Sequence, residues 1–408
     1  MIPRLKPQLG FGELAAAFSP PRRDDVERFE QQFAAEMGQT HAVAFPYGRT
    51  GLSLLLRAMG IQQREVICPA YTCVVVPHAI VTSGNDPVFV DSLDSDFNMN
   101  LDLVERAITP QTAAIVATSI FGYPVDLDHL EDVRRRHPKI AIIQDCAHSF
   151  QAEWQGRPVQ QAGHAAIFGL NISKLMTSIL GGMVTTDSDT LRDALLRERE
   201  RSVQSAGWMK SFMRRAYLLA TYPAFSPPIY GLVNWLERCG FLDRFVRYYD
   251  EGVIEMPADY LSGMTAVEAR VGQVQLKKLK SILAQRRKIA ALYHEQLEGV
   301  TGLSRPPLLE GATYSHYVPR VSQPDALCAA LLPHGVQLGR LIEYSIPDMK
   351  AYRTRPGARD DCPVARAMAT STINLTLHTD VTRATRIGQL IKRHLPSNTG
   401  QLPISRAA

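Results

Sequence analysis

What is scarce in this chain narrows its class before anything else is read. Its six cysteines, Cys68, Cys73, Cys146, Cys239, Cys328 and Cys362, are scattered, with no close pair to suggest a zinc knuckle, a redox dithiol or a disulfide framework. The expectation is a set of reduced thiols in a cytoplasmic protein that binds no metal. The first residues, "MIPRLKPQLGFGELAAAFSP", lack the continuous apolar core of a signal peptide, and their prolines disfavour an anchor helix. Excess charge is missing too: a net +5 over 408 residues falls short of the density of a dedicated nucleic-acid binder and leaves only a mild preference for anionic ligands. From Ala216 to Leu236 charge is absent altogether, over about the length of a bilayer span, but Pro223, Pro227 and Pro228 argue against one straight transmembrane helix.

The chain is long enough for two domains with a pocket between them. From His41 to Thr186 short β-branched runs alternate with amphipathic stretches: "HAVAF", "EVICP", "PVFVD", "AAIVAT", "IAIIQD", "AAIFGL" and "GGMVTT". This rhythm predicts an α/β layer with a mostly parallel sheet, whose ligands bind beyond the carboxyl ends of the strands. A charged helix over Asp189–Arg201 follows, then the uncharged stretch, then "TAVEARVGQVQLKKLKSILAQRRKIAALYHEQL", which reads as one long helix with an apolar stripe and a basic face. A smaller α+β portion runs to about His394. The expected division is a large domain over 1–255 with an apolar insertion at about 205–250, a small domain over 256–394 and a disordered tail over 395–408.

The insertion has two readings. The one preferred on base rates is a buried excursion at an oligomer interface, or a lid. The other is a pair of short apolar helices within 210–247 lying in the surface of an anionic membrane, aided by Lys210, Arg214 and Arg215 before it and Arg238, Arg244 and Arg247 after it.

One lysine stands out, Lys174 in "FGLNISKLMTSILGGMVTTD", set between an apolar run and a glycine pair. A lysine taken at random is a solvated surface residue. Upstream, however, the strand "IAIIQDCAHS" ends in Asp145, a carboxylate that projects from the sheet edge into a partly desolvated site and needs a partner. A pyridinium nitrogen is a natural one, and the amine of Lys174 can hold the same ring as a Schiff base once burial or nearby positive charge lowers its pKa. Farther upstream, "FPYGRTGLSLLLRAMG" passes from a strand through Gly48 into a helix beginning near Arg49–Gly51. Its free N–H groups and positive dipole end form an anion cup, to which Thr50 adds a hydroxyl and Arg49 a charge; the plain alternative is an ordinary strand-to-helix turn with a capping threonine. Cup, carboxylate and amine together match the three groups of pyridoxal 5′-phosphate.

The order and wording of "GRTGLSLLLRAMG", "EVICPAYTC", "PVFVD", "FGYPVDLDHL", "IIQDCAHSF", "SKLMTSILGGMVTTD" and "MTAVEARVGQVQLKKL" resemble the DegT/DnrJ/EryC1/StrS family of sugar aminotransferases, from about Arg28 to His394. The resemblance implies a fold-type-I transaminase, commonly a homodimer with its active sites at the subunit interface. Such enzymes aminate keto sugars carried on nucleotides, with glutamate or glutamine as amino donor, in surface polysaccharide or secondary-metabolite biosynthesis. It implies Lys174 as the Schiff-base lysine, Asp145 as the ring-nitrogen partner, His148 as the group near the cofactor's phenolic oxygen, and Gly181–Gly182 as the loop after the lysine.

The chain departs from the family in three places. Gly169 stands where a phosphate-binding serine is usual, so Asn171, Ser173 or the Arg49 charge would have to compensate. Cys73 replaces the stacking aromatic in "PAYTC", leaving Tyr71 to cover the ring. "LSGM", with Leu261 and Gly263, replaces the "NxRM" stretch that reaches the neighbouring subunit's phosphate. Lys174 argues against the branch that carries histidine there and dehydrates. A lyase, epimerase or dehydratase acting on a sugar with the same cofactor, and a non-catalytic regulatory relative of the fold, remain the alternatives.

Overall fold

The computed structural model describes residues 1–241, 250–358 and 361–395. Arg244, Arg247 and the expected tail beyond Leu395 lie outside the described residues. The apolar runs form one seven-stranded sheet: β1 (His41–Phe45), β2 (Glu65–Pro69), β3 (Asp86–Val90), β4 (Thr112–Thr118), β5 (Ala141–Asp145), β6 (Ala165–Gly169) and β7 (Gly182–Thr186). In space the order is β1-β7-β6-β5-β4-β2-β3. Strands β3, β2, β4, β5 and β6 pair in parallel, and β7 pairs antiparallel with both β6 and β1, so only β7 runs against the rest.

Helices cover both faces, which is why the central strands are nearly continuous in Ile, Val and Ala. Successive residues serve opposite sides: Ala114 and Val116 join one buried cluster with Leu55 and Tyr293, while Ile115 and Ala117 join another with Phe33 and Phe168. The first cluster also holds Tyr317 and Ile387, so the large and small portions share one continuous core.

The stretch expected as a single long helix is two, Ala266–Leu276 and Leu279–Gln296. A capping box between Thr265 and Glu268 starts the first. At the junction the fully buried Glu13 accepts from Gln275 Nε2 at 2.6 Å and from Lys278 Nζ at 2.6 Å, gripping one residue on each side of the break. Both pieces pack into one buried cluster, through Ala269 and Leu276 and through Leu279 and Leu283, while Val267 and Val271 also pack with Ala17 and Leu218 and Ile289 and Tyr293 also pack in the main core.

The uncharged stretch folds as two helices, Trp208–Ala224 and Pro227–Arg238, and Pro227 sits in the first turn of the second, where its missing N–H costs nothing. Among the described residues no helix is long and apolar enough to cross a membrane. The three cations before the stretch point inward: Lys210 and Arg214 bond to the segment 259–268, and Arg215 Nε donates to Ala17 O at 2.9 Å.

Candidate active site

Strand β5 ends in Asp145, β6 in Gly169, and β7 begins at Gly182, which pairs with Gly169 on one side and with Phe45 at the end of β1 on the other. Beyond Phe45 the chain turns through Tyr47, in extended conformation, into the helix Gly48–Ala58. Its N-cap residue Tyr47 makes no side-chain cap hydrogen bond, and the positive dipole end of the helix at Gly48 faces the sheet edge, a setting suited to an anion. The approach is possible because three glycines meet there. A Cβ on Gly182 would lie 2.2 Å from Gly48 N, and one on Gly48 would lie 2.9 Å from Phe168 O. A Cβ on Gly169 would come 3.2 Å from Lys174 Cε, so glycine at this position leaves room for the lysine side chain.

Asp145 is buried, with Oδ1 accepting from Ala147 N at 3.0 Å and Oδ2 from the Thr118 hydroxyl at 3.2 Å. Burial raises its pKa, while the Ala147 N–H, the charge of Lys174 and the Thr118 hydroxyl oppose the rise. Lys174 moves the other way. Burial lowers its pKa and the Arg49 guanidinium adds to that, against Cys73 and Asp145. The amine is therefore closer to its neutral, nucleophilic form than a surface lysine. His148 is buried beside Phe121, whose N–H donates to Nδ1 at 3.4 Å and whose ring stacks on the imidazole at 6.0 Å. Burial, then Lys174 and His316, depress its pKa well below the usual range, so the ring is neutral and carries its proton on Nε2.

The remaining expected residues divide. Arg49 and Cys73 lie close enough to act electrostatically on Lys174. Thr50 is fully buried and its hydroxyl donates to Tyr260 O at 3.0 Å, away from the helix end. Ser173 gives its hydroxyl to Asn171 Oδ1 at 2.6 Å, and the same oxygen accepts the Ser173 N–H. Tyr71 lies in the core, its ring edge-on to Phe121 and its hydroxyl 3.1 Å from Thr372 Oγ1. The hydroxyls of Thr50, Ser173 and Tyr71 are thus committed to protein partners.

Sequence reasoning missed Thr118, Phe121, His316 and Arg286. The ring of His316 lies 5.8 Å from that of His148, brought there by two backbone bonds, Thr313 N to Gly122 O at 3.0 Å and Ser315 N to Phe121 O at 2.8 Å. Phe121 and Tyr314 both adopt left-handed backbone, with φ of 53° and 48°. Arg286, within the stretch read as having a basic face, is buried and donates to Ser315 O at 2.5 Å. Burial lowers its pKa to about 9. A lone histidine in "YSHY" and one arginine in a basic helix carry no sequence signal for this pairing.

A ligand suited to this edge has an anionic end for the helix terminus, a protonated ring nitrogen for Asp145 and a carbonyl for Lys174. The comparison with known proteins agrees, since the DegT/DnrJ/EryC1/StrS aminotransferase family model matches residues 22–391. The chain belongs to that family. As a DegT/DnrJ/EryC1/StrS aminotransferase it is 27% identical over 368 residues to a GDP-perosamine synthase of Caulobacter vibrioides, covering 88% of this chain and 86% of the relative. It is 27% identical over 282 residues to the spore coat polysaccharide biosynthesis protein SpsC of Bacillus subtilis, covering 69% and 64% of the two chains. Its fold superposes on Helicobacter pylori PseC, an aminotransferase involved in the biosynthesis of pseudoaminic acid, with a TM-score of 0.76 over 96% of this chain and 98% of that one, at 16% identity. The family's cofactor is pyridoxal 5′-phosphate, and the glycine cradle, buried carboxylate and low-pKa amine fit it.

Burial pushes His316 down to about 3 from 6.5, helped by Arg286 and Lys174. The unfolded chain therefore binds a proton that the native state refuses, so this residue's contribution is fully present above pH 6.5 and is lost as pH falls from there toward 3. Between pH 7 and 5 the loss is about 2 kcal/mol. Urea unfolding of wild type and His316→Gln at the two pH values checks this: the variant should lose less stability over the interval, and an equal loss would refute the assignment.

Proposed function

We propose that this chain transfers an amino group from an amino acid, glutamate or glutamine, to the ketone of a nucleotide-linked sugar. The observation that carries the reading is the convergence of Lys174, Asp145 and the glycine cradle on one edge of the sheet. The name of GDP-perosamine synthase supports a nucleotide-linked sugar acceptor, and that of the spore coat polysaccharide biosynthesis protein SpsC supports a place in polysaccharide biosynthesis. When bound, pyridoxal 5′-phosphate supplies an aldehyde that exchanges with the donor amine and a protonated ring that withdraws electrons from the reacting carbon.

The protein's share is positional and protonic. Asp145, its oxygens fixed by Thr118 and Ala147, would keep the ring nitrogen protonated, and that positive partner would restore the ionised carboxylate that burial disfavours. Lys174 Nζ, its pKa lowered first by burial, would take a proton from one carbon and return it to another. His148 offers Nε2–H as a neutral donor, so it orients without adding charge. The terminus of helix Gly48–Ala58 would hold the phosphate, with the Arg49 charge in place of the absent serine hydroxyl at Gly169.

Two measurements test the assignment. Borohydride treatment of purified protein should fix a phosphopyridoxyl group on Lys174, as read by peptide mapping, and Lys174→Ala should abolish it; the label on another lysine overturns the reading. Asp145→Asn should lower the transamination rate by about 10²-fold or more while cofactor is retained. A rate near wild type, or equal loss of cofactor and rate, would count against it.

We further infer a homodimer in which a second copy covers the outer face of the inserted helices. Most large exposed hydrophobics among the described residues lie there, including Trp208, Phe212, Met213, Leu219, Leu232 and Trp235. Of the cations before the stretch, Lys210, Arg214 and Arg215 are spent on internal partners and so are not offered to an anionic membrane. Light scattering should report a dimer that Leu219→Glu with Trp235→Glu converts to monomer. Flotation of a still dimeric wild type with anionic vesicles, lost in that variant, would instead establish the membrane reading.

A further inference from the structure

The inserted helix Trp208–Ala224 also has an inner face. Lys210 and Arg214 lie one turn apart on it and reach the same loop. Lys210 Nζ donates to Ser262 O at 2.5 Å and Gly263 O at 2.9 Å, and Arg214 Nη2 donates to Asp259 Oδ2 at 2.8 Å. Arg214 Nε reaches Glu268 Oε1 at 2.6 Å, and the fully buried Glu268 closes the capping box with Thr265 just beyond the loop. The loop therefore is held at both ends from one helix.

On its other side the same loop grips the anion cup. Asp259 Oδ1 accepts from the Tyr47 hydroxyl at 2.5 Å, and Tyr260 O accepts from the Thr50 hydroxyl at 3.0 Å. Tyr47 and Thr50 bracket Gly48 and Arg49, the first residues of the helix whose terminus faces the sheet edge. Lys210 and Arg214 are balanced by Asp259 and Glu268, so the network lends the cup no net charge. What it supplies is position. Burial and the neighbouring Asp259 raise the Tyr47 pKa, so the hydroxyl remains a donor at neutral pH. For Asp259, burial favours the neutral form but is outweighed by the Tyr47 hydroxyl, Arg214 and Lys210, and its carboxyl stays below the usual range.

We propose that Lys210, Arg214, Asp259 and Tyr47 form a positioning relay by which the inserted helix sets the anion cup and so the grip on the phosphate end of the cofactor. The proposal rests on the reading of the Gly48 helix end as the phosphate site. Moving Tyr47 moves the peptide planes of Gly48 and Arg49, and donors misaligned by a few tenths of an ångström hold an anion less well. None of the four residues needs to touch the cofactor.

The test compares two probes on cofactor-free protein: pyridoxal 5′-phosphate, and pyridoxal, which has the aldehyde and ring but no phosphate. Tyr47→Phe removes one hydroxyl and keeps the ring. It should weaken the phosphate form about tenfold while pyridoxal affinity stays within about twofold and the melting temperature of the cofactor-free protein is unchanged. Lys210→Met leaves Arg214 paired with Asp259 and Glu268, and should give a smaller loss of the same selective kind. If the wild type prefers the phosphate form and both variants keep that preference in full, the relay is overturned and the cup stands. If both probes weaken equally in the variants, the residues are merely structural and the relay fails. If the wild type itself binds the two probes equally, the cup reading falls and the relay with it.

Discussion

Close approach of three backbone segments, at Gly48, Gly169 and Gly182, is the constraint on which the rest of this site depends. A single methyl at Gly182 would sit well inside van der Waals contact with Gly48 N. The distance from helix terminus to strand end is therefore set by the absence of side chains, and the strand pairing of Gly182 with both Phe45 and Gly169 holds that distance rigid. Everything chemical is arranged around that fixed gap: Lys174 crosses over Gly169, Asp145 stands at the end of the adjoining strand, and Arg49 opens the helix.

Burial then does two opposite things to two neighbours. It pushes the carboxyl of Asp145 toward the neutral acid and the amine of Lys174 toward the neutral base, so each is displaced from its solution state in the direction that a protonated ring and an aldehyde would each exploit. The histidines beside them are kept uncharged by the same burial and by the cations around them. The site is polar yet carries few net charges of its own, and much of the electrostatic character would arrive with an anionic, cationic-ringed ligand.

Strand ends were legible because β-branched runs stop abruptly: "IAIIQD" places Asp145 on an edge, and "FPYGRTG" announces a strand, a glycine and a helix start. Orientation was not legible. Thr50 reads equally as an anion ligand or as an internal donor, and only the loop at Tyr260 decides between them. Lys210, Arg214 and Arg215 read as a basic collar until the fold turns them inward. The apolar period runs unbroken through Lys277 and Lys278, so the break between the two helices follows from the distant Glu13, which no local pattern contains. His316 and Arg286 enter the site through backbone pairing between segments far apart in sequence, and pattern reading within a window cannot see such pairing.

The two backbone bonds that tie Phe121–Gly122 to Thr313–Ser315 have a consequence for how the molecule comes into being. Every strand of the sheet, together with Asp145 and Lys174, is complete in the first half of the chain, yet the left-handed turn at Phe121 that backs His148 gains its partners only when the segment near Tyr314 has been synthesised. Emerging from the ribosome, the nascent chain can therefore close its sheet before the edge at Asp145 and His148 is finished. Maturation of that edge waits on the arrival of the carboxyl-terminal portion, and a chain truncated ahead of it would carry Lys174 on an unfinished wall.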